Sequence, residues 1–455
     1  MLFNSFAFLA FFPSVYILYW VFPHRFRREV LILASFIFYG YWSKIFLIHF
    51  LLIVLLNYAY YYYLEARGDR RKLAWIVLAN LANLFLFKYY GFFRTILQDL
   101  SFSVEGMETL ESILPLAISF YTFQLIAFQV DVHRGTFSQK VNLPDFLLFI
   151  FFFPQLIAGP ILRAKDFLQR ISIPKVPRIL FSEIGIVWIL IGVIKKVLIA
   201  DQISPLIDPI YSDPQKYSIG GHWFAFYGFA FQIYCDFSGY TDIARGCALL
   251  LGYKLPPNFL APYFAGSLRE FWRRWHITLS TWLRDYLYIP LGGNRRGTTR
   301  TSLNLCITML LGGIWHGANY TFVIWGLWHG FLLWMERLWE NTKFGKLNIP
   351  KWVRIPIVFH LVCIGWVFFR ADSLQLALVF LKGMAVGIGE TPKYPWGFSI
   401  LILSFIAVHV IEYGKMNPTK RRILFRILLP VAACVVGFIT AGSVSGERSF
   451  IYFQF

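Results

Sequence analysis

Charged side chains are scarce in this chain, 15% of its 455 residues, and acidic ones scarcer still, with 24 Asp and Glu against 43 Lys and Arg. A soluble chain of this length would fold as two or three domains with charged surfaces. No long hydrophilic stretch exists to build one, so any chemistry must sit within or at the edge of an apolar bundle. Cysteine is sparse too. Cys235, Cys247, Cys306, Cys363 and Cys434 all lie in apolar stretches with no CxxC pair, and read as small core residues rather than disulfides or metal ligands. No P-loop, HExxH, GxSxG or strand-following GxGxxG occurs, so phosphate hydrolysis and nucleotide-driven transport lack support, and neither a metal nor a resident cofactor is expected.

What fills the chain instead is apolar: 58% hydrophobic and 20% aromatic residues, in runs of spanning length from end to end. That is the mark of an all-α polytopic membrane protein. The expected spans are 4–22, 29–43, 45–64, 72–90, 110–130, 142–158, 179–200, 221–251, 301–317, 319–336, 354–369, 396–413 and 423–441, about eleven to thirteen helices once re-entrant segments are allowed for. The formal charge of +19 gathers in short segments between these runs, such as His24 to Arg28, Arg67 to Lys72 and Lys420 to Arg422. This is a positive-inside pattern; a nucleic-acid groove would gather its cations on one solvated surface.

The first apolar run has its positive charges after it, so its N-terminus is expected outside and no cleaved signal is read. The poorly basic segments 91–109 and 201–220 are also expected outside. The run 142–158, short and interrupted by Pro154 in "FFPQLIAGPI", is expected to be re-entrant, because non-helical backbone at depth survives only when protein buries it. On this count the membrane domain covers 1–441, and a tail over 442–455 starts on the extracytoplasmic side.

Three stretches could carry chemistry. In 267–300, Arg273, Arg274, Arg284, Arg295 and Arg296 interleave with tryptophans and tyrosines. That suits an interfacial amphipathic helix, and equally a set of guanidinium forks for a phosphorylated ligand at the cytoplasmic face. In 310–330, His316 and His329 lie inside apolar runs, where an ionisable group is a functional candidate, though a neutral histidine bonded to a carbonyl remains the alternative. At about 100° per residue the two point about 140° apart on one helix, so they share a site only if the chain breaks near Ala318-Asn319. Gly313, Gly317, Gly326 and Gly330 permit close helix approach. In "YCDFSGYTDIARG", Asp236 and Asp242 sit in a long apolar run with Arg245 on the face of Asp242, an arrangement that serves packing or chemistry. His24, His49, His133, His222, His360 and His409 have no companion in sequence.

"FWRRWHITLSTWLRDYLYIPLGGNR", followed by "WHGANYTFVIWGLWHG", resembles the membrane-bound O-acyltransferase family, in the bacterial branch that acylates alginate, peptidoglycan and teichoic acid. "LPLAISFYTFQLIAFQVDVHRG" (114–135), "FFPQLIAGPI" and "YCDFSGYTDIARG" resemble the same branch, so the likeness covers most of the chain, with a catalytic core at about 234–330. The resemblance implies that His316 is catalytic and that His276 is the second family histidine; Asp236, Asp242 and Asn319 are read as structural or supporting positions. It also gives a role to the closing "SFIYFQF", in which Tyr452 is set among three phenylalanines, as a transient acyl carrier. Acetyl-CoA or another acyl thioester would be the donor. A cell-envelope polysaccharide would be the acceptor, through an extracytoplasmic SGNH-type transferase, at the bacterial inner membrane.

Elementary chemistry is compatible with that relay. Fourteen residues reach about 46 Å when extended, and the midplane lies about 15 Å inside the hydrocarbon edge. D-alanyl transfer to teichoic acid, and a non-enzymatic multi-pass transporter, are the alternatives.

Overall fold

The computed structural model describes residues 1–64, 69–104, 114–171, 173, 175–343, 347, 349–392 and 409. The expected spans 396–413 and 423–441, Cys434 and the tail with Tyr452 lie outside the described residues, His409 apart. In chain order the helices are α1 (Phe6–Val21), α2 (Arg27–Gly40), α3 (Lys44–Leu64), α4 (Arg70–Leu84), α5 (Tyr90–Asp99), α6 (Ile118–His133), α7 (Leu143–Phe151), α8 (Phe153–Leu156), α9 (Ala164–Ile171), α10 (Ile179–Val193), α11 (Asp201–Ser212) and α12 (Ile219–Leu250). They continue as α13 (Leu268–Trp272), α14 (Ile277–Leu283), α15 (Gly297–His316), α16 (Tyr320–Glu340), α17 (Lys351–Arg370) and α18 (Leu374–Val386). Among the described residues the only β pairing is an isolated bridge between Tyr217 and Glu390. The all-α membrane architecture is as the composition demands.

Local chemistry sets the starts and stops. Ser5, Asp69, Asn142, Ser267, Asn319 and Ser373 each accept a backbone N–H in the first turn of the helix they precede, supplying partners the helix cannot supply itself. Wide π turns interrupt the ladder at Phe85–Tyr89, between α4 and α5, at Ile194–Ala200 between α10 and α11, and at Arg284–Tyr288 after α14. Among the described residues, α3, the continuous α4–α5 rod and α17 are long and apolar enough to cross a bilayer. α15 and α16 have the length, 20 and 21 residues, but carry the polar groups of the candidate site.

The chain divides into two compact units, Met1–Leu190 with Tyr240–Pro256, and Ile191–Gly239 with Pro257–Phe455. In the first unit, buried amides tie helices together. Asn57 and Asn80 exchange hydrogen bonds of 3.0 and 2.9 Å, and Gln129 donates to the Asn57 carbonyl at 2.9 Å. Gln124 and Gln155 both donate to the Phe149 carbonyl, at 2.7 and 2.9 Å. The 142–158 run is helical only as the short α7 and α8, and residues 146 and 148–162 are buried, as a broken segment within the protein must be.

In the second unit α15 and α16 form a tight hairpin. A Cβ on Gly313 would lie 2.3 Å from the Phe322 carbonyl oxygen, and one on Gly326 2.5 Å from that of Met309. Any side chain there would push the backbones apart, which is why the glycine spacing matters.

Candidate active site

The two histidines of the hairpin reach one indole because the chain breaks between them. α15 ends at His316, Gly317 is extended, and Asn319 opens α16 by accepting the Thr321 N–H at 3.0 Å while donating to the Asp372 carbonyl at 3.1 Å. The return places Trp325 and His329, one turn apart on α16, beside the end of α15. His316 meets the Trp325 ring edge-on at 5.0 Å, and His329 meets the same ring at 4.9 Å. Phe369 closes on His316 at 5.2 Å. Both imidazoles are buried, His329 completely.

His276 joins through a neighbouring ring, with Trp315 at 6.2 Å from it and 5.0 Å from His316. Phe237 stands perpendicular to the His276 ring at 4.7 Å. The backbone of His276 is left-handed, φ 41°, a conformation costly for a residue with a Cβ and held only where surroundings enforce it. Buried Asn258 does the enforcing. Its carbonyl accepts the Ile277 N–H at 3.0 Å, and its side-chain oxygen accepts from the Thr278 N–H at 3.2 Å and the Thr278 hydroxyl at 2.7 Å. Asn258 carried no signal in the sequence, since its partners lie about twenty residues away.

The arginines of 267–300 separate into two kinds. Arg274 is committed, donating to Glu270 at 2.6 Å, and Arg284 pairs with Asp285 at 2.6 Å. Arg273, Arg295 and Arg296 are exposed and make no side-chain hydrogen bond or ion pair with the described residues. Glu270 also accepts the Gly266 N–H at 2.7 Å and has Lys351 at 3.5 Å. Partial burial pushes its carboxyl up, but the Gly266 N–H, Arg274 and Lys351 outweigh it and hold the group below the ordinary carboxylate range.

Asp236 and Asp242 serve different partners. Asp242 has Arg245 at 3.4 Å, with the Arg245 guanidinium 4.2 Å over Trp188. Asp236 instead receives the Lys196 ammonium at 2.6 Å, and Lys196 also reaches Asp201 at 2.8 Å. This buried triad was missed because its members belong to three segments read separately, two spanning runs and the outer loop between them. His360, which had no companion in sequence, accepts the Tyr227 hydroxyl at Nε2 at 2.8 Å while its Nδ1 faces the Pro356 carbonyl at 2.7 Å. His49 lies 2.9 Å from the Asn83 side-chain oxygen, and His222 lies 2.8 Å from the Ser218 carbonyl. Among the described residues, no group of three His, Cys, Asp or Glu could hold a metal ion.

The rings of His276, His316 and His329 are linked through Trp315 and Trp325, and comparison with known proteins identifies the family that carries this arrangement. Residues 69–374 match the model of the membrane-bound O-acyltransferase family. The chain belongs to this family. The probable alginate O-acetylase AlgI of Pseudomonas aeruginosa is 43% identical, over 84% of this chain and 75% of that protein. A Helicobacter pylori peptidoglycan O-acetyltransferase is 34% identical over 94% of this chain and 88% of its own length. The teichoic acid D-alanyltransferase of Bacillus subtilis is 28% identical over 57% of this chain and 69% of its own length. The chain is therefore a membrane O-acyltransferase, and the reading as a non-enzymatic transporter is set aside.

Proposed function

We propose that this enzyme moves an acetyl group from acetyl-CoA on the cytoplasmic side to an extracytoplasmic polysaccharide, with Tyr452 as a transient carrier. The observation that carries this is the break at Gly317–Asn319, which brings His316 against the indole that also meets His329, while Trp315 links His316 to His276. Arg273, Arg295 and Arg296, exposed and uncommitted, suit the phosphates of the donor. The glycan-acetylating relatives favour acetyl over D-alanine, and polysaccharide over teichoic acid.

In the first step the Tyr452 oxygen attacks the thioester carbonyl while a nitrogen of His316 takes the phenolic proton. The C–S bond then breaks, the thiolate leaves, and it recovers that proton as CoA thiol. A free phenol titrates near pH 10 and an imidazole near 6.5, a gap of about 5 kcal/mol. Proton removal is therefore concerted with attack. The aryl ester keeps a good leaving group. A serine of a separate SGNH-type transferase attacks it, Tyr452 leaves as phenolate and is reprotonated, and the partner passes the acetyl group to the glycan. His276, which meets the same Trp315 ring, is the second imidazole assigned to the site. Such a cycle requires a multi-pass protein of the bacterial inner membrane whose C-terminal tail begins outside. The test is acetyl-CoA turnover by purified protein in lipid vesicles. His316→Ala, folded and inserted normally, is expected to abolish it; full retention overturns the scheme.

A further inference from the structure

Among the described residues, five ring nitrogens behind His316 have no hydrogen-bond partner. They are Nε1 of Trp272, Trp325 and Trp366 and both ring nitrogens of His329, all out of contact with solvent. The rings touch one another around His329, with Trp325 at 4.9 Å, Trp272 at 5.0 Å and Trp366 at 6.3 Å. α17 is shaped to admit the imidazole, since a Cβ on Gly365 would fall 2.8 Å from its Nε2. Three other indoles find backbone acceptors: Trp328 donates to the Leu361 carbonyl at 2.9 Å, Trp223 to Met384 at 3.1 Å and Trp20 to Leu250 at 3.2 Å. Among the described residues, the buried indole N–H groups left without an acceptor are the three that surround His329. Unmet donors in a dry interior are costly, and a native fold keeps a cluster of them where something else supplies the acceptor.

We propose that the cage of Trp272, Trp325, His329 and Trp366 receives the carbonyl of the short acyl group being transferred. This rests on the acyl-CoA reading of the site and names the residues that hold its acyl end. Three indole N–H groups and the one N–H of a neutral imidazole make a donor-rich surface, so the guest presents oxygen acceptors. Beyond Gly365, these rings pack on other aromatic rings, and among the described residues no cation lies over them, which favours a neutral carbonyl over a phosphate or carboxylate. Rings packed this closely give no lane for a long acyl chain. Trp325, in contact with both His316 and His329, is the donor nearest the reacting carbonyl, where its N–H strengthens its bond as the oxygen gains charge.

The experiment uses the full-length protein in lipid nanodiscs with 5-fluorotryptophan, the cage resonances being assigned by whichever of Trp272→Phe, Trp325→Phe and Trp366→Phe fold. The probes are CoA and a non-transferable ketone analogue of acetyl-CoA. Trp282, on the arginine-bearing segment, reports donor binding. The expected result is that both probes shift Trp282, while only the ketone shifts the cage. Movement of Trp282 alone, or equal cage shifts with both probes, overturns the cage and leaves the donor reading intact. Silence of every resonance overturns both. As a second readout, Trp325→Phe keeps the ring and loses the N–H, and a fall of about 100-fold in kcat with little change in the donor KM is expected. Unchanged kcat in folded protein contradicts the proposal.

Discussion

Two buried polar regions of this protein are built on opposite terms. Within the first unit, Asn57, Asn80, Gln124, Gln129 and Gln155 spend their amides on one another and on backbone carbonyls. Around His329, in the second unit, five ring nitrogens are buried and unmet. The same bilayer penalty acts on both. The satisfied amides hold helices together, whereas the cluster around His329 finds no acceptor among the described residues, and there we place the acyl carbonyl.

Breaking the site should change rate and leave the fold. His316→Ala is expected to lower acetyl-CoA turnover by at least 10²–10⁴-fold, the contribution of a general base, roughly 3–5 kcal/mol in barrier, with thermal unfolding in detergent little changed. Breaking the scaffold should do the reverse. Lys196→Met removes the cation shared by the buried carboxylates of Asp201 and Asp236. A loss of about 3–5 kcal/mol is expected, seen as a fall in unfolding temperature and in yield. Restored stability in a triple variant that also carries Asp201→Asn and Asp236→Asn would sharpen the assignment.

Smaller changes test the amide ladder. Asn57→Ala should cost about 1–3 kcal/mol, because it strands Asn80, with turnover per folded molecule unchanged. Replacing both Asn57 and Asn80 by Leu should cost less than Asn57→Ala alone, since no donor is then left unmet. An additive loss in the double variant would refute the pairing.

The smallest effect belongs to Glu270, which is partly exposed. Because its folded carboxyl titrates below the ordinary range, the stability it contributes is present above about pH 4.3, the unfolded value, and drains away as pH falls through the lower folded value. Glu270→Gln should therefore flatten the decline in unfolding temperature between about pH 5 and 3, relative to the unsubstituted protein. Identical pH profiles would remove the carboxylate from that interface.

Much of this was legible in sequence, for reasons that differ by residue. The all-α membrane class followed from apolar runs alone. The need for a break between His316 and His329 followed from helical geometry, and the break falls at Gly317–Asn319. The glycine spacing of the hairpin announced its close approach. What sequence could not show are contacts whose partners are remote along the chain: Asn258 bracing His276, Lys196 bridging Asp201 and Asp236, and Tyr227 donating to His360. The arginines show the same limit from the other side. Seven cations in one stretch look alike as letters, and only the fold tells Arg274, held by Glu270, from Arg295, which is uncommitted.

The central claim is a covalent relay from donor to tail, and one measurement reaches it most directly. Purified protein is given isotopically labelled acetyl-CoA with no partner transferase present to discharge it, and the C-terminal peptide is examined by intact-mass spectrometry beside Tyr452→Phe and His316→Ala. A label on Tyr452 that vanishes in both variants is the expected result. An unlabelled tail in protein that still consumes the donor contradicts the relay, and makes Tyr452 a docking residue beside a direct transfer at His316.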